Sequence, residues 1–434
     1  MSPAAVAIVV FLLTYIGIAL EKVSRTAVAM AGAVAVLILG VLDLPEAVKY
    51  VSWETLGLLL GMFTIVAALS EAGFFAYLAL RVARRLRYDP HKIFIVFPLL
   101  AGLLAAFMDS ITVMLFLTTL TYELSRLLKF DPIPMVVAEV CLANIGGAAT
   151  LVGDPPNVIL GTMLGFSFND FVVHNGPTAV VAALAAVAYA YLAARRSLPA
   201  SGQEPDPALV AMEPEKAVHD WRLLRRGLFA FGVAVFFLII HPFAEHRLGI
   251  PLTVPLAALI PAYGLLLTLG RQSEEILRKV DYEVLLFFIG LFVVVGALEK
   301  TRVIDTLARG IAGLFGDLQL ALLSTLLWGS GVSSAIVDNV PFALSMGYVV
   351  KDLAQLAGMP ALSIMVWAVS LGTDIGGNGT PIGASANVVA YHSLEKHGRR
   401  IGWVRWMGLA IPPTVIALIL CNLGLAIKLA VGFY

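Results

Sequence analysis

Charge is scarce in this chain. Only 13% of its 434 residues are Asp, Glu, Lys or Arg, and the two signs cancel to a net charge of zero. Ordinary soluble domains carry about 25% charged residues, so a wholly water-exposed surface is excluded, and without a basic excess nothing points to nucleic acid. Cysteine is scarcer still: Cys141 and Cys421, both in apolar surroundings, exclude a disulfide framework and a four-ligand zinc site. No P-loop, Ser-His-Asp set or dinucleotide fingerprint stands out, and His392 and His397 lack zincin spacing. No enzymatic reaction, cofactor or metal is therefore expected. Cys141 is read as a small core residue. What abounds is apolar: 60% of residues are hydrophobic and the mean hydropathy is +0.92, which places the chain in a bilayer. The first apolar run, about residues 4–20, lacks a basic n-region and is expected to be a retained membrane helix.

Two stretches spell nearly the same phrase. Asn144-Ile-Gly-Gly-Ala-Ala-Thr-Leu-Val-Gly-Asp-Pro-Pro-Asn157 and Asp374-Ile-Gly-Gly-Asn-Gly-Thr-Pro-Ile-Gly-Ala-Ser-Ala-Asn387 lie 230 residues apart, from 144 to 374. Upstream, Glu54 to Leu69 aligns with Glu283 to Leu298 at a shift of 229 (54 to 283), and Asp109 falls on Asp338 at the same shift. A repeat of this length points to a duplicated half-molecule. The expected division is residues 1–196, a linker at 197–225, and a second copy at 226–434.

Crossing a bilayer takes about 20 apolar residues. The first half is read as helices near 4–20, 26–43 and 54–70 and a basic amphipathic segment near 73–87, with a counterpart near 303–315 as interfacial arms. Two short arms follow, 93–108 and 111–125, joined at Asp109 as a re-entrant hairpin. Next come a segment at 134–165 broken by the glycine phrase and a last helix near 173–194. The expected class is an all-α integral membrane protein of two repeats, each with about five spans, one hairpin and one broken helix. An odd number of crossings turns the second copy upside down. Lys22, Arg25, Arg81, Arg84, Arg85, Arg87, Lys92, Arg126, Lys129, Arg195 and Arg196 then share one side. By the positive-inside rule the linker is cytoplasmic and both termini outside.

Gly, Pro, Asn and Asp inside apolar segments are tolerated where opened backbone lines a cavity, which reads as a transporter. Four carboxylates mark the tips and breaks: Asp109, Asp154, Asp338 and Asp374. Intramembrane acids of this kind carry ions or protons, and each Asp can at the same time cap the half-helix after it. Gly146, Gly147, Gly153, Gly376, Gly377 and Gly383 allow positive φ and close approach to a ligand. Pro155, Pro156, Pro341 and Pro381 remove backbone donors and are expected to leave carbonyls free for a cation. Asn144, Thr150, Asn157, Asn339, Asn378, Thr380, Asn387 and Ser110 suit a hydroxylated solute.

Met108-Asp-Ser-Ile-Thr, Asn144-Ile-Gly-Gly through Asn157, Val337-Asp-Asn-Val-Pro341 and Gly376-Gly-Asn-Gly-Thr-Pro through Asn387 resemble the ion transporter superfamily, in its branch of arsenite permeases and the P protein. The resemblance spans essentially the whole chain. It implies inverted repeats divided between a scaffold and a moving transport domain, elevator-like movement, and a secondary transporter in the inner (plasma) membrane. It further implies proton-coupled efflux of arsenite or antimonite, with Asp109 or Asp338 carrying the proton, or Na⁺/H⁺ antiport or another small-ion permease. A homodimer and an energising ATPase are the partners it implies, beside the small inorganic solute and H⁺ or Na⁺. Dicarboxylate carriers of the superfamily show Ser-Asn-Thr at the tips, where this chain has Asp109-Ser110 and Asp338-Asn339. That difference argues against a doubly charged anion. A receptor or scaffold that moves nothing would explain the helices but not duplicated broken ones.

Overall fold

The computed structural model describes residues 2–20, 22–200, 213–316, 318–356 and 359–434, with no side-chain description for His246; part of the expected linker lies outside these ranges. All regular structure among the described residues is helical. In the first half these are α1 (Pro3–Ala19), α2 (Arg25–Ile38), α3 (Leu44–Tyr50), α4 (Trp53–Glu71), α5 (Phe74–Arg85), α6 (Pro90–Ala105), α7 (Ser110–Leu128), α8 (Pro132–Gly147), α9 (Pro155–Leu164), α10 (Phe168–His174) and α11 (Gly176–Ala194). The second half follows with α12 (Trp221–Leu248), α13 (Val254–Leu269), α14 (Ser273–Leu277), α15 (Tyr282–Lys300), α16 (Val303–Phe315), α17 (Gln319–Ile336), α18 (Asn339–Leu353), α19 (Leu362–Gly376), α20 (Ser385–Lys396) and α21 (Trp403–Val431). Among the described residues the first half has eleven α-helices and the second ten, and α10 has no counterpart between α20 and α21.

Eight described helices are long and apolar enough to cross a membrane, and four apolar helices are shorter: α1, α2, α6 and α8. Several expected boundaries shift. The hairpin's second arm extends to Leu128 and has the length of a span, because Thr118, Thr121 and Ser125 find buried positions that a lipid-facing reading of the arm denies them. The helix expected over 26–43 stops at Ile38, and the Asp43 capping box starts α3. Ser167 and Asp170 likewise box off α10 ahead of α11. Arg222, Arg225 and Arg226 lie in the first turns of α12 and not in a loop.

Two helices form the centre. The spanning windows of α4 and α15 are 67% buried, against 28% for the helix beginning at Gly176, so the first two lie inside the protein and the last at its periphery. α4 packs on α13, and α2 packs on α15, so each half leans on the other. Glycine sets both distances: a Cβ on Gly61 would stand 2.7 Å from the Ala258 carbonyl carbon, and one on Gly290 would stand 2.6 Å from that of Ala29. Around this frame lie the pairs α6–α8 and α17–α19.

Candidate functional site

Both hairpin tips place an aspartate at the start of a helix. Asp109 accepts from the backbone amides of Ile111 at 3.2 Å and Thr112 at 2.9 Å, and Asp338 accepts from that of Val340 at 3.0 Å. These two aspartates are therefore N-caps, which satisfy donors that no helical carbonyl can reach. Asp154 also sits at an N-cap position, of α9, yet makes no capping bond. Its Oδ1 accepts from the Ser110 hydroxyl at 2.8 Å and its Oδ2 from the Asn339 amide at 2.9 Å. Ser110 belongs to the first tip and Asn339 to the second, so one buried carboxylate clasps both. Ala384 occupies the matching place in the second copy of the phrase. The site is thus only pseudo-symmetric.

A cavity of about 10 Å³ beside the clasp is lined by Arg25, Asp109, Asp154, Asn339 and Ser385, room for about one water. Beyond it opens a vestibule of about 360 Å³ lined by Ile18, Arg25, Asp281, Glu283, Asp338 and His392, with Ile111 and Ser385 shared by the two spaces. Arg25 stands between them. Its Nη1 lies 3.3 Å from Asp338 Oδ2 and donates to the Ser385 hydroxyl, and its guanidinium sits 5.2 Å from the centre of the Phe287 ring, within cation–π range. The Tyr15 hydroxyl bonds the Pro341 carbonyl and the Ser345 hydroxyl from the same side.

The other residues singled out from the phrases hold the breaks themselves. Thr150 donates to the Ala106 carbonyl and Thr380 to that of Ala335. Asn157 donates to the carbonyls of Gly147 and Thr150, both at 3.0 Å, while Asn387 donates to those of Gly377 at 2.8 Å and Thr380 at 2.7 Å. Each break thus carries its own asparagine, which takes up two of the carbonyls that the opened helix leaves unpaired. The halves then cross-link: Asn144 donates to the side-chain oxygens of Asn378 at 2.8 Å and Asn387 at 3.0 Å, and Ser370 donates to that of Asn157 at 2.6 Å. Asp374 is fully buried, and neither of its oxygens has a partner among the described residues.

The phrase glycines differ from expectation in one respect. None of Gly146, Gly147, Gly153, Gly376, Gly377 and Gly383 is among the residues with positive φ. Their role is contact: a Cβ on Gly146 would lie 2.0 Å from the Gly102 carbonyl oxygen, and one on Gly376 would lie 2.2 Å from the Gly331 Cα. Of the prolines, Pro155 and Pro156 begin α9, where a missing N–H costs nothing. Pro341 lies in the first turn of α18, and Pro381 in the turn before α20.

Among the polar residues that escaped the sequence reading are two that carry charge. Arg25 was read as a loop charge, and Glu139 drew no attention. Glu139 is fully buried on α8, accepting from the Thr121 hydroxyl at 2.5 Å, with its second oxygen unpartnered among the described residues. One signal finds both: at the repeat shift they align with Val254 and Val369, so each is a charge that its duplicate lacks.

Comparison with known proteins agrees with this picture. The family model described as CitMHS, citrate transporter, matches residues 15–372. A 46 kDa membrane protein of Mycobacterium leprae is 35% identical over 98% of both chains. An uncharacterised transporter of Mycobacterium tuberculosis is 36% identical over 92% of each. The human P protein is 30% identical over 95% of this chain, which spans 58% of its length. Among solved structures, the YdaH transporter of Alcanivorax borkumensis aligns over 100% of this chain and 99% of its own at a TM-score of 0.58 and 14% identity, a likeness of fold. A multi-pass helical chain with these matches is a membrane transporter, and it belongs to the CitMHS citrate transporter family.

Proposed function

We propose that this protein is a proton-coupled secondary transporter of a small anion, a carboxylate or oxyanion, working by an elevator-like alternation between two inverted repeats, residues 1–196 and 226–434. The observation that carries the reading is Arg25, a permanent cation shared by the vestibule and the inner cavity and paired there with a tip aspartate. A guanidinium presents a planar fork of donors that matches a carboxylate or oxyanion. While Asp338 is ionised it competes with the substrate for that fork. A proton on Asp338 cancels the competing charge and frees Arg25, so proton and anion enter together. This order of events answers the objection that acids at the tips repel an anion.

Asp154 and Asp374 supply further places for a proton. The clasp on Asp154 ties both tips to one carboxylate, so its charge state is felt by both. An ionised, unpartnered carboxylate at the position of Asp374 costs several kcal/mol, which a proton or bound cation relieves. The moving unit in this reading is α6–α9 with α17–α20, cross-linked by its asparagines. The frame is α1–α4 with α12–α15, touching the moving unit at Arg25–Asp338 and at Thr55–Thr162, 2.6 Å apart. The linker and the vestibule mouth face the cytoplasm.

Proton-coupled arsenite or antimonite efflux is the second reading, favoured by the neutral polar groups of Ser110 and Asn339 at the tips. Proteoliposomes holding a pH gradient separate the two. Citrate or another small carboxylate should collapse the gradient, and Arg25→Gln should abolish that collapse. Collapse by arsenite alone selects the second reading, collapse by Na⁺ alone selects cation antiport, and silence from all of these ends the proton-coupled proposal.

A further inference from the structure

Away from the transport site, α12 and α13 enclose a groove of about 400 Å³ on the outer surface of the frame. Its lining comes from one face of each helix: Phe229, Ala230 and Val233 on α12, and Pro261, Gly264 and Leu265 on α13. Arg225, Arg226 and Thr268 close one end. Both arginines are exposed. Arg226 donates to the Thr268 carbonyl at 2.7 Å, and Arg225 has no ion pair among the described residues. The floor is open, since a Cβ placed on Gly264 would meet no atom within 4 Å.

The cations stand where their own helix disfavours them. Arg222, Arg225 and Arg226 fall in the first two turns of α12, beside the positive end of the helix dipole. Asp220 caps that end through the amides of Arg222 and Leu223, which leaves net positive charge at the mouth of an apolar cleft. From Arg225 to Val233 the cleft runs about 12 Å along the helix, at about 1.5 Å per residue.

We propose that this groove is a binding site for an anionic phospholipid, with the phosphate on Arg225 and Arg226 and an acyl chain laid over Ala230, Val233, Pro261 and Gly264. Charge complementarity selects the occupant: a neutral lipid leaves the arginines uncompensated, and a second copy of this chain brings the same positive end to the same place. Basic pockets between membrane helices are favoured sites for acidic head groups. The site is separate from the vestibule, sharing none of its lining residues, and does not depend on what is transported.

The test uses purified full-length protein in detergent, titrated with phosphatidylglycerol or phosphatidylcholine and read by native mass spectrometry and by Tm. Phosphatidylglycerol should be retained and should raise Tm; phosphatidylcholine should do neither. The double substitution Arg225→Gln/Arg226→Gln should weaken phosphatidylglycerol binding by about tenfold or more. Gly264→Leu fills the open floor and should reduce acyl occupancy while leaving both arginines in place. Because nothing opposes the added side chain, the unliganded Tm of Gly264→Leu should match wild type, which separates a lost site from a lost fold. Equal retention of the two lipids, or retention unchanged in both variants, overturns the proposal. So does a change of dimer to monomer in Gly264→Leu that is independent of lipid, which assigns the groove to a second copy.

Discussion

At the scale of single residues, the transport proposal rests on groups whose charge can be removed without removing their hydrogen bonds. Asp154→Asn keeps an acceptor for Ser110, and a flip of the Asn339 amide turns its oxygen toward the new donor, so the tips should stay folded while proton-coupled flux is lost; gradient collapse in proteoliposomes checks it. Arg25→Lys retains the charge but not the fork, and should bind anion more weakly than wild type yet more strongly than Arg25→Gln. Asp338→Asn removes the competing charge beside Arg25, so at a fixed pH the variant should bind the anion more tightly than wild type but lose coupled flux, as an anion-binding titration beside the proteoliposome assay would read. Asp220 makes a different kind of prediction. The amide of Leu223, and then that of Arg222, hold its carboxyl below the ordinary range. A depressed folded value stabilises the fold above the unfolded pKa of about 4, and that stabilisation disappears as pH falls through the folded value. Asp220→Ala should therefore lower Tm at pH 7 and match wild type in strong acid.

At the scale of elements, the glycine pairs govern how closely helices cross. Gly146→Ala puts a methyl 2.0 Å from the Gly102 carbonyl oxygen, so α6 and α8 must separate, at a cost of roughly 1–3 kcal/mol for overpacking. Gly376→Ala meets Gly331 in the same way and should cost a similar amount. Gly264→Ala meets nothing and should be neutral or slightly stabilising in a helix. Thermal unfolding of the three variants in one detergent gives the ranking; equal values would mean that the crossings relax freely. The duplicated phrase made both crossings legible in sequence, but as a ligand site. Its asparagines and threonines also hold the broken backbone together, a role that periodicity does not distinguish from binding, since both require a polar side chain beside an opened helix.

At the scale of the whole molecule, the vestibule opens beside the loops before Arg25 and Tyr282, the side on which the basic loops were expected to gather. Both native cysteines are buried, so a single introduced thiol reports without background. His392→Cys should react with a membrane-impermeant maleimide from that side alone, and its rate should fall when saturating substrate drives the moving unit across. A rate unaffected by every transported solute would argue for a rigid site.

The sequence alone determined what composition and duplication encode: a helical membrane chain, its internal repeat, the hairpin tips at Asp109 and Asp338 and the two breaks. Hydropathy and helix-opening residues act locally, so they can be read along the chain. Which carboxylate joins the tips, which cation faces them and which polar residues are left without partners were decided only by the tertiary structure. Arg25 lies 313 residues from Asp338, and Asp154 lies 185 from Asn339. Contacts over such separations depend on how the two halves pack, and neither copy of the repeat contains that information by itself.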